Sequence, residues 1–149
     1  MIYIAIIIIG FILDRITKIY ATNNFIKNPY QGALFNFTYL ENRGAAFGIL
    51  QDRRILFLIL TIAVVIGLVA YFIKTYKTNH KLLNIAYAMI ISGAIGNFYD
   101  RLFQGYVVDF IEFAFFDFPI FNIADILVTG GAALLIIHML FFEEKEAIR

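Results

Sequence analysis

The sequence predicts an all-α membrane protein, with four transmembrane helices and a small β element outside the bilayer. Three observations lead there. Residues of the apolar set make up 62% of the 149, and the mean hydropathy is +0.82, far above the value of a soluble domain. Four stretches of about 20 residues are apolar enough to cross a hydrocarbon layer of about 30 Å. Between the first and second, and between the third and fourth, the apolar runs give way to short segments of strand period. One domain, residues 1–149, with spans at about 2–20, 55–73, 82–98 and 123–142, accounts for the whole length.

The first span begins at Ile2, and its uncharged part stops at Leu13, which is only about 18 Å of helix. The helix must therefore run on through Asp14-Arg15-Ile16-Thr17-Lys18 to Tyr20, bringing charges to one membrane face. Asp14 and Lys18 stand four residues apart, so they can pair on one side of it. The start lacks a basic region and an A-x-A-like cleavage site, so it reads as a retained span and not as a secretory leader.

Residues 21–54 form a polar connection in which Asn28-Pro29 and Gly32 mark turns. Phe35, Phe37 and Tyr39 then alternate with Asn36 and Thr38, the pattern of a half-buried strand. Asn42-Arg43-Gly44-Ala45-Ala46-Phe47-Gly48 follows. Its small residues and glycines suit either a close approach to an extended peptide or a tight turn.

Ile55 to Ile73 carries no charge, and Lys74, Lys77, His80 and Lys81 then make a short basic loop. The third span ends near Phe98, and its Gly93-Ala94-Ile95-Gly96 segment favours close helix packing. From Leu102 to Phe118 a second strand pattern appears, with Val107, Asp109, Ile111 and Phe113 on one face and Val108, Phe110 and Glu112 on the other. Pro119 ends it. The fourth span, Ile123 to Phe142, holds Gly130-Gly131, and Glu143 to Arg149 is a charged tail expected to fray.

With four spans, both termini and the 74–81 loop share one side. The density of cations at Lys74, Lys77, Lys81, Lys145 and Arg149 favours that side as cytoplasmic, although the first connection also carries Arg15, Lys18, Lys27, Arg43, Arg53 and Arg54. The acidic segments then lie outside the cytoplasm. A net charge of +1 gives no hint of nucleic acid.

The chemistry open to the chain is narrow. There is no cysteine, which removes disulfides, thiolate catalysis and Cys metal sites. His80 and His138 are far apart with no acidic ligand pattern beside them, so no metal site is expected. Ser92, the sole serine, has no His or Lys at helical spacing. Carboxylates remain.

On this topology Asp14, Asn97, Asp100, Arg101, Asp109, Asn122 and Asp125 share one layer. A carboxylate at the bilayer centre costs about 2.5–3.5 kcal/mol on insertion scales, so acids kept near that zone need a partner or a task. Two close carboxylates do not both ionise easily; one holds a proton while the other acts as base, which is enough to hydrolyse a peptide bond. Structure alone also explains part of the pattern. Asn122 reads as a helix N-cap with Asp125 at the third helical position, and Phe121 with Ile126 matches a hydrophobic staple. Asp100 with Arg101 reads as a structural charge pair, and Glu112 and Asp117 as solvated loop acids. A small proton-coupled carrier, using the same acids as a relay, is the competing class.

Five ordered blocks carry a family likeness: Asp14-Arg15-Ile16-Thr17-Lys18, Asn42 to Gly48, Gly96-Asn97-Phe98-Tyr99-Asp100-Arg101, Val107-Val108-Asp109-Phe110 and Phe121-Asn122-Ile123-Ala124-Asp125. On these, over nearly its whole length, the chain resembles the lipoprotein signal peptidases, the signal peptidase II family. The resemblance implies a bacterial inner-membrane, multi-pass aspartyl endopeptidase, working as a monomer without metal or cofactor at the extracytoplasmic face. Its substrates would be the signal peptides of diacylglyceryl-modified prolipoproteins, cut just before the lipidated cysteine, with membrane lipid as its surroundings. The implied dyad is Asp109 and Asp125, with Asn42, Asn97, Arg101, Asn122, Asp14 and Lys18 shaping the pocket. The implied fold is four helices, a small extracytoplasmic β-cradle and a short interfacial helix. One departure is visible: the family usually has Gln where this chain has Arg15.

Overall fold

Helix α1 (Ile2–Asn24), α2 (Arg54–Thr75), α3 (Lys81–Phe103) and α4 (Ile123–Phe141) make up most of the molecule, with strands β1 (Tyr30–Gln31), β2 (Phe35–Asn42) and β3 (Val107–Phe113). The computed structural model describes residues 1–44 and 54–142. The Ala45–Gly48 part of the small-residue block, Arg53 and the Glu143–Arg149 tail lie outside the described residues. The short interfacial helix that the resemblance implies is not among them either.

Among the described residues, three helices are long and apolar enough to cross a membrane: Ile55–Thr75, Lys81–Phe103 and Ile123–Phe141. Helix α1 has the length, but Asp14, Arg15 and Lys18 interrupt its apolar character. The cause is geometric. From Lys18 to Asn24 the helix rises about 9 Å further, and its last turns pass beneath the sheet, where Ala21 is buried with Val108, Phe110 and Ile111. The charges fall in mid-helix because only the first part of α1 is an apolar rod.

Helix α3 is the centre, packed against α1, α2 and α4. It is longer than the 82–98 span expected from hydropathy. Nothing in Phe98–Phe103 breaks a helix, and the chain turns only at Gly105, whose φ of 86° is left-handed. Asn97, Asp100 and Arg101, expected at the end of this span, are residues of its last helical turns.

The sheet has the order β1-β2-β3, antiparallel throughout, with Leu40 opposite Asp109 and Asn42 opposite Val107. β1 went unseen because two residues show no period. β3 is buried on both faces from Val107 to Ile111; α1 and α3 pack against it, and the end of the 114–121 segment lies along its edge. That segment closes on β3 through backbone bonds, Phe121 N to Ile111 O and Ile111 N to Phe121 O, both 2.9 Å. The residue after Phe121 starts α4.

Small residues set how closely the helices approach. A Cβ on Gly96 would come within 2.6 Å of Asp14 Oδ2 and 3.2 Å of Ala124 Cβ, and one on Gly93 would collide with the Ala124 carbonyl. Gly96→Ala is therefore expected to force α1 and α4 away from α3 and to cost about 1–3 kcal/mol. Thermal unfolding of the purified protein in detergent checks this, and an unchanged midpoint would contradict the close approach.

Candidate active site

Asn122 is fully buried and caps α4: its Oδ1 accepts from Asp125 N at 3.0 Å, while its own N–H donates to Asp125 Oδ2 at 3.1 Å. This is the reciprocal capping box that the sequence pattern implied. The Asn122 side-chain amide does more. Its Nδ2 donates to Asp109 Oδ1 at 2.6 Å and to Asn97 Oδ1 at 3.2 Å. One residue thus ties together the acid of β3, the acid of α4 and an amide of α3.

Each carboxylate has a second donor. Asn42 Nδ2 reaches Asp109 Oδ2 at 2.8 Å, across the β2–β3 pairing, and Asn97 Nδ2 reaches Asp125 Oδ1 at 2.7 Å. Both acids line a single cavity of about 560 Å³. Asn42, Asn97 and Arg101 share its polar wall, and Phe113, Phe118, Pro119 and Phe121 its apolar wall; Ile126, Thr129 and Gly130 extend it down α4. The volume suits a few residues of an extended chain.

Burial lifts the Asp109 carboxyl from an ordinary 3.8 to about 7, and the nearby Asp125 adds to the lift. Hydrogen bonds from Asn42 and Asn122 and the charge of Lys18 pull the other way. Near neutral pH the Asp109 carboxyl is therefore placed to hold or to release a proton. Such an arrangement supplies an acid and a base together.

Behind the pair lies a fully buried layer of charge. Lys18 Nζ stands 2.9 Å from Asp14 Oδ2, Asp100 Oδ2 and Asn97 Oδ1, so the expected Asp14–Lys18 pair is present. Asp14 Oδ1 also accepts from Ala124 N at 2.9 Å, in the first turn of α4. Arg15 donates to Asp100 Oδ1. Asp100 is thus held by Arg15 and Lys18 of α1, a longer-range arrangement than the neighbouring Asp100–Arg101 pair read from sequence. Arg101 Nη2 donates to the Gly44 carbonyl at 2.9 Å, and its guanidinium lies 4.8 Å from the Phe57 ring centroid.

Every sequence-predicted site residue, Asp14, Lys18, Asn42, Asn97, Arg101, Asp109, Asn122 and Asp125, falls in this network or on the cavity wall. Glu112 is half-buried and accepts from Asn36 at 3.1 Å, so it is a sheet residue and not a solvated loop acid. The reading missed the tie from Arg15 to Asp100 and the aromatic wall, because neither contact leaves a spacing signal. It also missed that His80 and His138 meet, with ring centroids 5.6 Å apart, next to Phe142.

Known proteins share this arrangement of sequence and fold. The family model described as signal peptidase (SPase) II matches residues 6–141. A lipoprotein signal peptidase of Clostridium novyi is 46% identical, covering 92% of this chain and 96% of its own. One of Clostridium tetani is 49% identical over 92% and 91%. A bacterial membrane enzyme solved by the in meso method at 2.3 Å resolution superposes with a TM-score of 0.84, at 41% identity, over 93% of this chain and 87% of that one. A second, at 1.9 Å, gives 0.82 at 40% identity over 94% and 93%. The chain is accordingly a multi-pass membrane protein.

Asn42 stabilises the charged form of Asp109, so removing its amide favours the proton. Asn42→Ala is expected to move the pair's proton loss above the wild-type value of about 7. Infrared titration of the carboxyl stretch reads the shift, and a movement to lower pH would contradict the assigned bond.

Proposed function

The chain belongs to the signal peptidase II family, and from that premise we propose that it hydrolyses diacylglyceryl-modified prolipoproteins between Asp109 and Asp125. Removal of signal peptides from lipoproteins is the activity of the family. The aspartyl mechanism is our reading of the site, and one observation carries it: Asn122 bonds both carboxylates at the wall of one cavity.

In this mechanism Asp109 holds the shared proton and Asp125 the charge. Asp125 sits at the N-terminus of α4, where the helix dipole favours an anion, and Asp109 sits in the drier surroundings. Asp125 takes a proton from water as the water oxygen attacks the scissile carbonyl carbon. The C–N bond then breaks, Asp109 gives its proton to the leaving amine, and Asp125 returns a proton to Asp109 for the next turn. General acid–base help of this kind is worth about 10² to 10⁴ in rate. Asn42, Asn97, Asn122 and Arg101 hold the acids and polarise the pocket, while Asp14 and Lys18 support them from behind.

The substrate fits the cavity on chemical grounds. A signal peptide is an apolar helix that must unwind at its small-residue end, and its lipidated cysteine keeps that end at the interface. The aromatic wall offers the acyl chains a place, and the acids meet the peptide at the same depth. We read α1 as the fourth span, with the active site at the extracytoplasmic face of the bacterial cell membrane, the termini in the cytoplasm, and the monomer as the working unit.

Asp109→Asn and Asp125→Asn should each fold, because the amide keeps the shape of the carboxyl, yet each should lower cleavage of a lipidated precursor by at least about 10²-fold. Product masses after incubation with the purified variants give the answer, and wild-type cleavage by either one rejects the dyad.

A second expectation concerns pH. The Asp109 carboxyl is raised to about 7, so on this mechanism kcat/KM should fall as pH rises through that value, since the acid is lost while the base remains. A rate still rising at pH 9 would contradict the proton assignment.

A further inference from the structure

Arg15 reaches from α1 across to α3. Its guanidinium donates to Asp100 Oδ1 and lies over the Tyr99 ring, 4.6 Å from the centroid. The Arg15 side chain is 19% exposed and that of Asp100 is 0% exposed. The other Asp100 oxygen takes Lys18 Nζ at 2.9 Å and faces Val108 N at 3.5 Å. Lys18 has three protons and three acceptors, Asp14, Asp100 and Asn97.

The contact to Asn97 matters most. Because the Asn97 carbonyl faces Lys18, its Nδ2 is turned to Asp125 Oδ1 at 2.7 Å. A flipped amide would present an oxygen to that carboxylate instead. Lys18, at 2.9 Å, and Asn122 Nδ2, at 3.2 Å, together hold the Asn97 oxygen and so orient this donor to Asp125, and the freedom of Lys18 to serve Asn97 depends on how much of its charge Asp100 demands.

Charge counting gives the same answer. Asp14 and Asp100 contribute two negative charges, Arg15 and Lys18 two positive, all within contact. Without Arg15, the group of Asp14, Lys18 and Asp100 carries one net negative charge, while the Arg101 guanidinium still acts on Asp100 through its charge. Resting on the hydrolytic reading above, we propose that Arg15 is a positioning residue for the Asp109–Asp125 pair. By neutralising Asp100 it leaves Lys18 to orient Asn97, and it fixes the charge behind the pair.

Among the described residues, Lys18 from α1 and Arg101 from α3 act on the pair through their charges, Asp14 and Asp100 lie behind them against Lys18, and β2 presents the neutral Asn42. Arg15→Gln makes this set more negative, which favours the protonated pair. Asp100→Asn makes it more positive and favours the ionised pair. A loss of packing alone would move both variants the same way, so the signs separate the two roles.

The test uses the full chain in lipid nanodiscs. Wild type, Arg15→Gln, Arg15→Lys, Asp100→Asn and the Arg15→Gln/Asp100→Asn double variant are compared in two ways. One is kcat/KM against pH on a synthetic diacylglyceryl precursor peptide; the other is infrared titration of the carboxyl stretch without substrate. We expect the proton loss to move up by roughly half a unit to one unit in Arg15→Gln, to stay near wild type in Arg15→Lys, to move down in Asp100→Asn and to return in the double variant. No movement in Arg15→Gln, or movement in the same direction in Arg15→Gln and Asp100→Asn, overturns the proposal. Should wild type leave the precursor uncut, the peptidase reading fails while the infrared signs still decide the role of Arg15.

Discussion

The amide of Asn122 is used at every position it offers. Its oxygen caps α4, its backbone N–H returns the bond to Asp125, and its Nδ2 joins Asp109 to Asn97. The bonds that begin the helix are therefore the bonds that aim the acids. An N-cap is worth about 1 kcal/mol, and hydrogen bonds to an ionised acceptor are roughly twice as strong as neutral ones, so this residue joins stability and site geometry in one group. Its place is fixed in turn by the backbone clasp of Phe121 on Ile111, which sets β3 and the first turn of α4 at one separation.

The layer of charge behind Asn122 obeys a stricter rule. A buried ammonium stripped of one partner typically costs 3–5 kcal/mol, and Lys18, 1% exposed, meets the rule with ion pairs to Asp14 and Asp100 and a hydrogen bond to Asn97. The layer gathers at one end of the bundle, between the later turns of α1, the last turns of α3 and the first turn of α4. No acid or base occurs from Ile55 to Ile73 of α2, and His138 is the only ionisable group between Ile126 and Phe142 of α4. Groups crowded at one depth suit chemistry on a substrate that arrives there. A carrier needs them spread through the thickness of the bilayer.

Much of this was legible in the sequence because it depends on local period and spacing. Asp14 and Lys18 pair because four residues return the helix to the same side, and Asn122 with Asp125 reads as a cap because three residues do. Phe35 to Tyr39 and Val107 to Phe113 alternate, and both are strands. What was not legible depends on which far-off segment comes near. The Arg15–Asp100 contact joins residues whose separation carries no period, and the meeting of His80 with His138 requires knowing how α3 and α4 lie side by side. The helix α3 runs past the apolar span for another reason. Hydropathy marks where lipid stops, whereas a helix stops where its backbone must turn, here at Gly105. The sequence blocks named residues that gather at one cavity; the bonds among them follow only from packing.

The aromatic wall completes the logic of the acids. Burial is the largest cause of the raised Asp109 value, and the cavity beside it is bounded by Phe113, Phe118 and Phe121, rings that exclude water and lower the local dielectric. Were that wall polar, Asp109 would ionise at neutral pH, and the two carboxylates would repel each other across Asn122. The same surface that accepts acyl chains on our reading thus keeps one acid protonated. Acyl chains settling on those rings displace more water, favour the neutral acid further and place the peptide beside it, so that occupying the pocket and readying the proton become a single event.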